Sequence, residues 1–157
     1  MVTMTATPVH WKLVLDTHDP HAQAAFWAAA LHYEVEDHSV LIGKLLGLGA
    51  IPPEILLDHD GRKAWRDAAG VRHPEDPYDP ESGAGLGRRL LFNRVPPEER
   101  KTGKNRLHID LHGPAGEREA EVERLSSLGA RVQRHVREPA GEWVIMTDPE
   151  GNEFCVH

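Results

Sequence analysis

One pattern occurs twice in this chain of 157 residues: an alternating strand that breaks into turn residues and then enters a helix. The first copy opens on Lys12-Leu13-Val14-Leu15-Asp16, and its helix closes on Leu31-His32-Tyr33-Glu34-Val35. The second opens on His108-Ile109-Asp110-Leu111-His112 and closes on Leu128-Gly129-Ala130-Arg131-Val132. An internal repeat constrains the fold first, because each copy carries an apolar face that the other can bury. It also says where function should sit, since the polar faces of the two repeated strands would line one shared cleft.

The elements follow from periodicity. From His10 to Asp16, Trp11, Leu13 and Leu15 point one way, while His10, Lys12, Val14 and Asp16 point the other. Asp19-Pro20 is an N-cap with proline at the first helical position, and the helix runs to about Leu31 with Ala22, Ala25, Phe26 and Ala29 at core spacing. A short strand, Tyr33 to Asp37, leads into an apolar insertion over 40–63 that is broken by Gly43, Gly47, Gly49 and Pro52-Pro53. A strand within Ala64–His73 precedes a Pro/Gly/Asp/Ser-rich loop at 74–87, and Arg89–Val95 is the next strand. Residues 98–105 read as a polar linker. The second half repeats the order: a strand at Leu107–His112, a helix at Glu117–Leu128 with Val122, Leu125 and Leu128 as its stripe, then strands at 131–136, 143–147 and 153–156. Each half reads β-α-β-β-β. The expectation is one α+β domain over 1–157, with module one at about 9–97, module two at about 105–157, and two curved sheets forming a half-barrel cleft with helices outside.

Composition excludes several classes. A formal charge of −7 with both signs mixed argues against a nucleic-acid surface and is weakly compatible with a cationic ligand. The single cysteine, Cys155, cannot form an internal disulfide, which points to a reducing compartment. No apolar run approaches the roughly 20 residues a bilayer span requires, and Met1–Pro8 lacks the basic-then-apolar order of a signal peptide. A cytoplasmic protein with a small-molecule partner, no nucleic acid and no membrane is expected. There is no Gly-rich phosphate loop, no Gly-x-Ser-x-Gly elbow and no paired Cys-x-x-Cys.

Three segments, in order on this repeat, resemble the vicinal oxygen chelate superfamily, its glyoxalase-like branch above all. They are Leu15-Asp16-Thr17-His18-Asp19-Pro20 leading to Ala25-Phe26-Trp27, the run Leu90-Leu91-Phe92-Asn93-Arg94-Val95-Pro96 followed by Lys104 to Leu111, and the closing Asp148-Pro149-Glu150-Gly151-Asn152-Glu153-Phe154-Cys155. The superfamily includes glyoxalase I, extradiol dioxygenases and bleomycin-resistance proteins. The resemblance implies two modules curving around one cleft, a homodimer, and in many members a divalent metal (Zn, Ni, Fe or Mn) held by His and Glu from the first and last strands of each module. Such an ion accepts two substrate oxygens and leaves positions open for chemistry.

Carried over by position, those ligand sites fall on Lys12 and Asn93 in the first half and on His108 and Cys155 in the second. Only His108 has the expected chemistry, so absence of a metal is an equal expectation. An improvised trio would combine His108 and Glu153 with His10. Without metal, Lys12 and His108 form a candidate catalytic pair able to polarise a carbonyl or hold a carboxylate. Asn93, Asp110, Glu153 and Trp65 are the candidate substrate contacts, and the 40–87 region is expected to supply specificity. Three functions stay open: a glyoxalase-like lyase or isomerase acting on a small oxygen-rich substrate, a protein that sequesters an antibiotic without catalysis, and a non-catalytic dimerisation domain.

Overall fold

A computed structural model describes residues 5–157, so Met1–Met4 of the expected domain and leader reading lie outside the described residues. In chain order the elements are β1 (Leu13–Thr17), α1 (Pro20–Leu31), β2 (Glu34–Val35), α2 (Ser39–Gly47), β3 (Leu56–His59), β4 (Arg62–Trp65), β5 (Ala68–Arg72) and β6 (Arg89–Arg94). The second half holds β7 (Asp110–Leu111), α3 (Arg118–Ser127), β8 (Arg131–Glu138), β9 (Gly141–Thr147) and β10 (Glu153–Val156). Two four-stranded sheets share one topology: β1-β6-β5-β2 and β7-β10-β9-β8. In each, the first strand pairs parallel with the last and the remaining neighbours are antiparallel. The repeat is therefore a structural one, and the fold is α+β with open curved sheets.

Local chemistry sets the helix ends. Asp19 accepts the Ala22 N–H at 3.1 Å, with Pro20 at the first helical position of α1. α1 ends at His32, whose φ of 56° lets the Tyr33 N–H reach back to the Ala28 carbonyl at 2.8 Å. Gly129, with φ of 115°, takes the same place after α3. An unstrained glycine in one module is matched by a strained histidine in the other.

The core lies between the helices and the inner faces of both sheets. Phe26 and Trp27 of α1 meet Phe154 of β10, Trp27 edge-on at 5.2 Å, among Val122, Leu125, Val144 and Met146. Burying one such large side chain contributes about 1.5–3 kcal/mol. The α1 face differs from the expected one: Gln23, Ala24 and Trp27 are buried, whereas Ala22 and Ala25 are exposed. Alanine gains little by burial, so a run of alanines does not specify a face. The side chains of Gln23 and Trp27 do, through their donors. Trp11, expected on the core face, is 76% exposed because β1 begins only at Leu13.

Those donors meet Asp148, which is 2% exposed. Its Oδ2 accepts from Gln23 Nε2 at 2.8 Å, Trp27 Nε1 at 3.1 Å and Asn152 Nδ2 at 3.0 Å. Its Oδ1 accepts the Glu150 and Asn152 N–H groups at 2.9 and 3.0 Å. Next to it, Glu150 accepts from the Thr17 hydroxyl and from the N–H groups of His18 (2.7 Å) and Asp19 (3.2 Å), at the entrance to α1. The closing Asp-Pro-Glu-Gly-Asn turn thus clasps module two to the first helix of module one.

The 40–63 insertion holds most of α2, a 3₁₀ turn at Pro53–Ile55, β3 and the start of β4. The 74–87 segment is a loop with one bridge, Tyr78 to Gly85.

Candidate functional site

The two sheets do not hydrogen-bond to each other. The seam between β1 and β7 opens into a cavity of about 960 Å³. Its floor is apolar, from Leu13, Leu15, Trp27, Leu90 and Ile109, and its rim is the segment from Glu99 to His108 together with the turn at Pro149–Glu153. The stretch read as a polar linker is a cavity wall. Glu153 fixes it: its carboxylate accepts from Lys101 Nζ at 2.8 Å and from the Asn105 N–H at 3.1 Å. Burial pushes the Glu153 carboxyl up, but Lys101 and the Asn105 amide outweigh it and hold it below the usual range. Among the described residues, Arg100 and Arg106 have no carboxylate partner and Lys104 touches only the Asn105 carbonyl. Asp16 and Glu99 are the unpaired acids of the same lining.

The concave face of module two carries a denser group. The faces of β7 and β10 away from the core present His108, Asp110 and His112 beside Cys155 and His157, since Asp110 pairs with Cys155. Asp110 is central: His108 Nε2 lies 3.3 Å from its Oδ1 and His157 Nε2 lies 3.4 Å from its Oδ2. The His112 and His157 rings stack at 4.7 Å, with Trp143 beyond His157 at 6.0 Å. Two sets of donors, His108–Asp110–Cys155 and Asp110–His112–His157, each lie within 4.8 Å of one another. Burial, then the Asp110 charge and hydrogen bond, pushes the Cys155 thiol up, so Cys155 stays a thiol rather than a thiolate.

Module one presents nothing similar. On the corresponding face Val14 pairs with Leu91 and Asp16 with Asn93. Further along β6, Arg89 donates to both oxygens of Glu36 at 2.8 Å, and the Gly85 N–H donates to the same carboxylate at 2.7 Å. The Glu36 side chain is fully buried there, with His38 Nε2 3.5 Å away. Gly70 makes room for it: any Cβ at that position would land inside the Glu36 carboxylate. Sequence reasoning missed both Glu36 and Arg89, because no spacing signal links a charge after β2 to one on β6.

The structure scatters the other expected residues. Lys12 is exposed, precedes β1 and does not line the cavity, so Lys12 and His108 are not brought together on its wall. His10 lies further out, in the exposed segment before β1, and belongs to neither donor set. Asn93 stands opposite Asp16; the matching pairs Val14–Leu91 and Asp110–Cys155 make Leu91, not Asn93, the counterpart of Cys155. Trp65 sits on the β3–β4 hairpin with its carbonyl 2.8 Å from His21 Nε2, and Tyr78 covers the Arg72 guanidinium at 3.9 Å. Neither these two nor any other residue of 40–87 lines the cavity. His108, Glu153 and Asp110 do occupy the site region, the first two on the cavity wall.

The family model described as the glyoxalase-like domain matches residues 12–157. The chain belongs to the glyoxalase-like domain family. Among solved structures, this glyoxalase-like chain is similar to a glyoxalase/bleomycin resistance protein/dioxygenase family enzyme from Burkholderia phytofirmans PsJN, with 13% identity, 92% of this chain and 94% of that one covered, and a TM-score of 0.56. The fosfomycin resistance protein FosX from Mesorhizobium loti matches with 10% identity, 98% and 92% coverage and a TM-score of 0.57. The bleomycin-binding protein of Streptomyces verticillus, solved with copper(II)-bleomycin, matches with 19% identity, 97% of each chain and a TM-score of 0.50. At these identities the likeness is one of fold. No curated protein sequence matches the chain. Among the described residues, no helix is long and apolar enough to cross a membrane.

Members of this superfamily often use a divalent metal, and the donor chemistry at the inherited positions tests whether that ion fits here. It does not fit as a four-ligand set: Lys12 is an ammonium and Leu91 is apolar, so module one offers no donor, and only His108 and the buried Cys155 remain.

Proposed function

We propose that this glyoxalase-like protein binds a small, oxygen-rich molecule in the cavity between its modules. The molecule's acidic groups face Arg100, Lys104 and Arg106, and its carbon skeleton rests on Leu13, Leu15 and Trp27. The observation that carries this reading is the cavity itself: about 960 Å³, with an apolar floor and a rim on which Arg100, Lys104 and Arg106 lack carboxylate partners among the described residues, while Lys101 is paired with Glu153. Ligand sites combine a volume of this order with a few convergent polar groups. His108 on the same wall is the group placed to move a proton, which is the role a lyase or isomerase would ask of it. The reading includes a cytoplasmic protein, for which the single buried Cys155 speaks, and a homodimer, for which the large exposed side chains of Trp11 and Leu107 speak.

A second reading is sequestration of a cationic antibiotic without catalysis. Unpaired Asp16 and Glu99 in the same lining and the net charge of −7 favour it. A thermal-shift screen separates the two, using phosphonoacetate, small dicarboxylates and dicarbonyls in one arm and bleomycin in the other. A ligand at 100 times its Kd stabilises the fold by about 2.7 kcal/mol. Lys104→Glu with Arg106→Glu should abolish the shift given by the anions. A bleomycin shift that survives this double variant and is lost in Asp16→Asn would replace the first reading by the second, and no shift with any probe refutes both.

A further inference from the structure

We propose that Asp110, His112 and His157 form a binding site for a borderline divalent ion of the zinc and nickel class, built by module two alone and lying one step along the strands from the position the family would use. Two imidazoles and a carboxylate are the donor set such ions prefer. The three side chains share one face of a single strand pair, β7 and β10, and their donor atoms already lie within 4.8 Å of one another. A tetrahedral ion with bonds of 2.0–2.2 Å needs donors about 3.3 Å apart. Asp110 and His112 are exposed side chains, able to turn by the remaining distance.

The arrangement around His157 points the same way. Its Nε2 is buried and has no hydrogen-bond partner, although Asp110 Oδ2 lies 3.4 Å away: the two atoms are close without the directionality of a hydrogen bond. An ion between them would satisfy both. Trp143 stacks on one face of the His157 ring and His112 on the other, which fixes the ring's orientation as outer partners do for metal-bound histidines. The neighbouring set, His108–Asp110–Cys155, is a poorer cage. It offers one imidazole where the other set offers two, and its Cys155 is buried. Asp110 serves one ion at a time, so the two sets compete and the better donors win.

The test is a calorimetric titration of the chelator-stripped full chain with Ni²⁺, and a parallel titration with Co²⁺ followed by its visible absorption and by quenching of Trp143 fluorescence. One ion per chain is expected. His112→Ala and His157→Ala should each weaken binding by at least about 10-fold, while His108→Ala and Cys155→Ala leave the affinity unchanged. Trp143→Phe should keep the affinity and lose the quenching, which guards against a variant that merely unfolds. Binding lost equally in His108→Ala or Cys155→Ala places the ion in the competing set and overturns the proposal. Binding indifferent to all four changes, or no binding, overturns it as well. The cavity reading stands or falls separately, since its probes are organic anions and its variants lie on the rim.

Discussion

Replacing Asp148 by asparagine tests whether the closing turn clasps the two modules. Oδ2 receives three donors, from Gln23, Trp27 and Asn152, and Oδ1 receives two backbone N–H groups. An asparagine has one acceptor oxygen, so its NH₂ must confront one of these two sets. If it faces the Oδ1 side, two backbone donors lose their acceptor; if it faces the other, three side-chain donors do. A buried donor left unsatisfied costs about 1–3 kcal/mol. Two such losses give about 2–6 kcal/mol, with about 4 as the central value, out of a typical total of about 5–15. For a domain of this size that lowers Tm by about 8–16 °C. Differential scanning calorimetry and urea unfolding followed by Trp27 fluorescence would measure it. Gln23→Leu is the companion: it removes one donor but also the buried Gln23 Oε1 that has no partner, so its loss should be smaller. A shift within 2 °C for Asp148→Asn, or a larger loss for Gln23→Leu, would refute the clasp.

Two further outcomes follow from the buried groups. Burial raises the Glu36 carboxyl, but hydrogen bonds from His38, Arg89 and the Gly85 amide outweigh it and leave its pKa below the ordinary 4.5. A depressed pKa gives stability that is present above about 4.5 and lost as pH falls through the lower folded value. Glu36→Gln strands Arg89 and should cost about 3–5 kcal/mol at pH 7, the gap to the parent narrowing in acid; urea midpoints at a series of pH values would read it, and a gap constant with pH would contradict the sign. Cys155, raised by burial and then by Asp110, should react with a thiol reagent far more slowly than a free cysteine at pH 8, and faster in Asp110→Asn. Equal labelling rates in the two proteins would remove Asp110 from the account.

The two halves have kept one plan unevenly. Module two presents imidazoles and a carboxylate on its concave face. Module one fills the same face with a Glu36–Arg89 pair beneath its own insertion. A cleft that is symmetrical in backbone is therefore one-sided in chemistry, and the cavity of about 960 Å³ lies at the seam between the modules.

The repeat, the order of strands and helices, the caps at Asp19 and Gly129, and the membership in the glyoxalase-like family were all legible in the chain, because each depends on neighbours within a few residues or on period. That His108 and Asp110 share one face of their strand was legible for the same reason, since alternation sets it. What periodicity could not supply was partnership across the fold. The burial of Gln23 and Trp27 depends on Asp148, more than 120 positions away. The wall at 100–106 depends on Glu153, and the meeting of His112 with His157 depends on the parallel pairing of β7 with β10. Lys12 and Asn93, equal to the others in sequence, part from them because β1 begins only at Leu13 and its register sets Asn93 opposite Asp16. Local rhythm determines the elements and their faces; which polar groups converge is decided by register and by long-range hydrogen bonds, which a linear pattern does not encode.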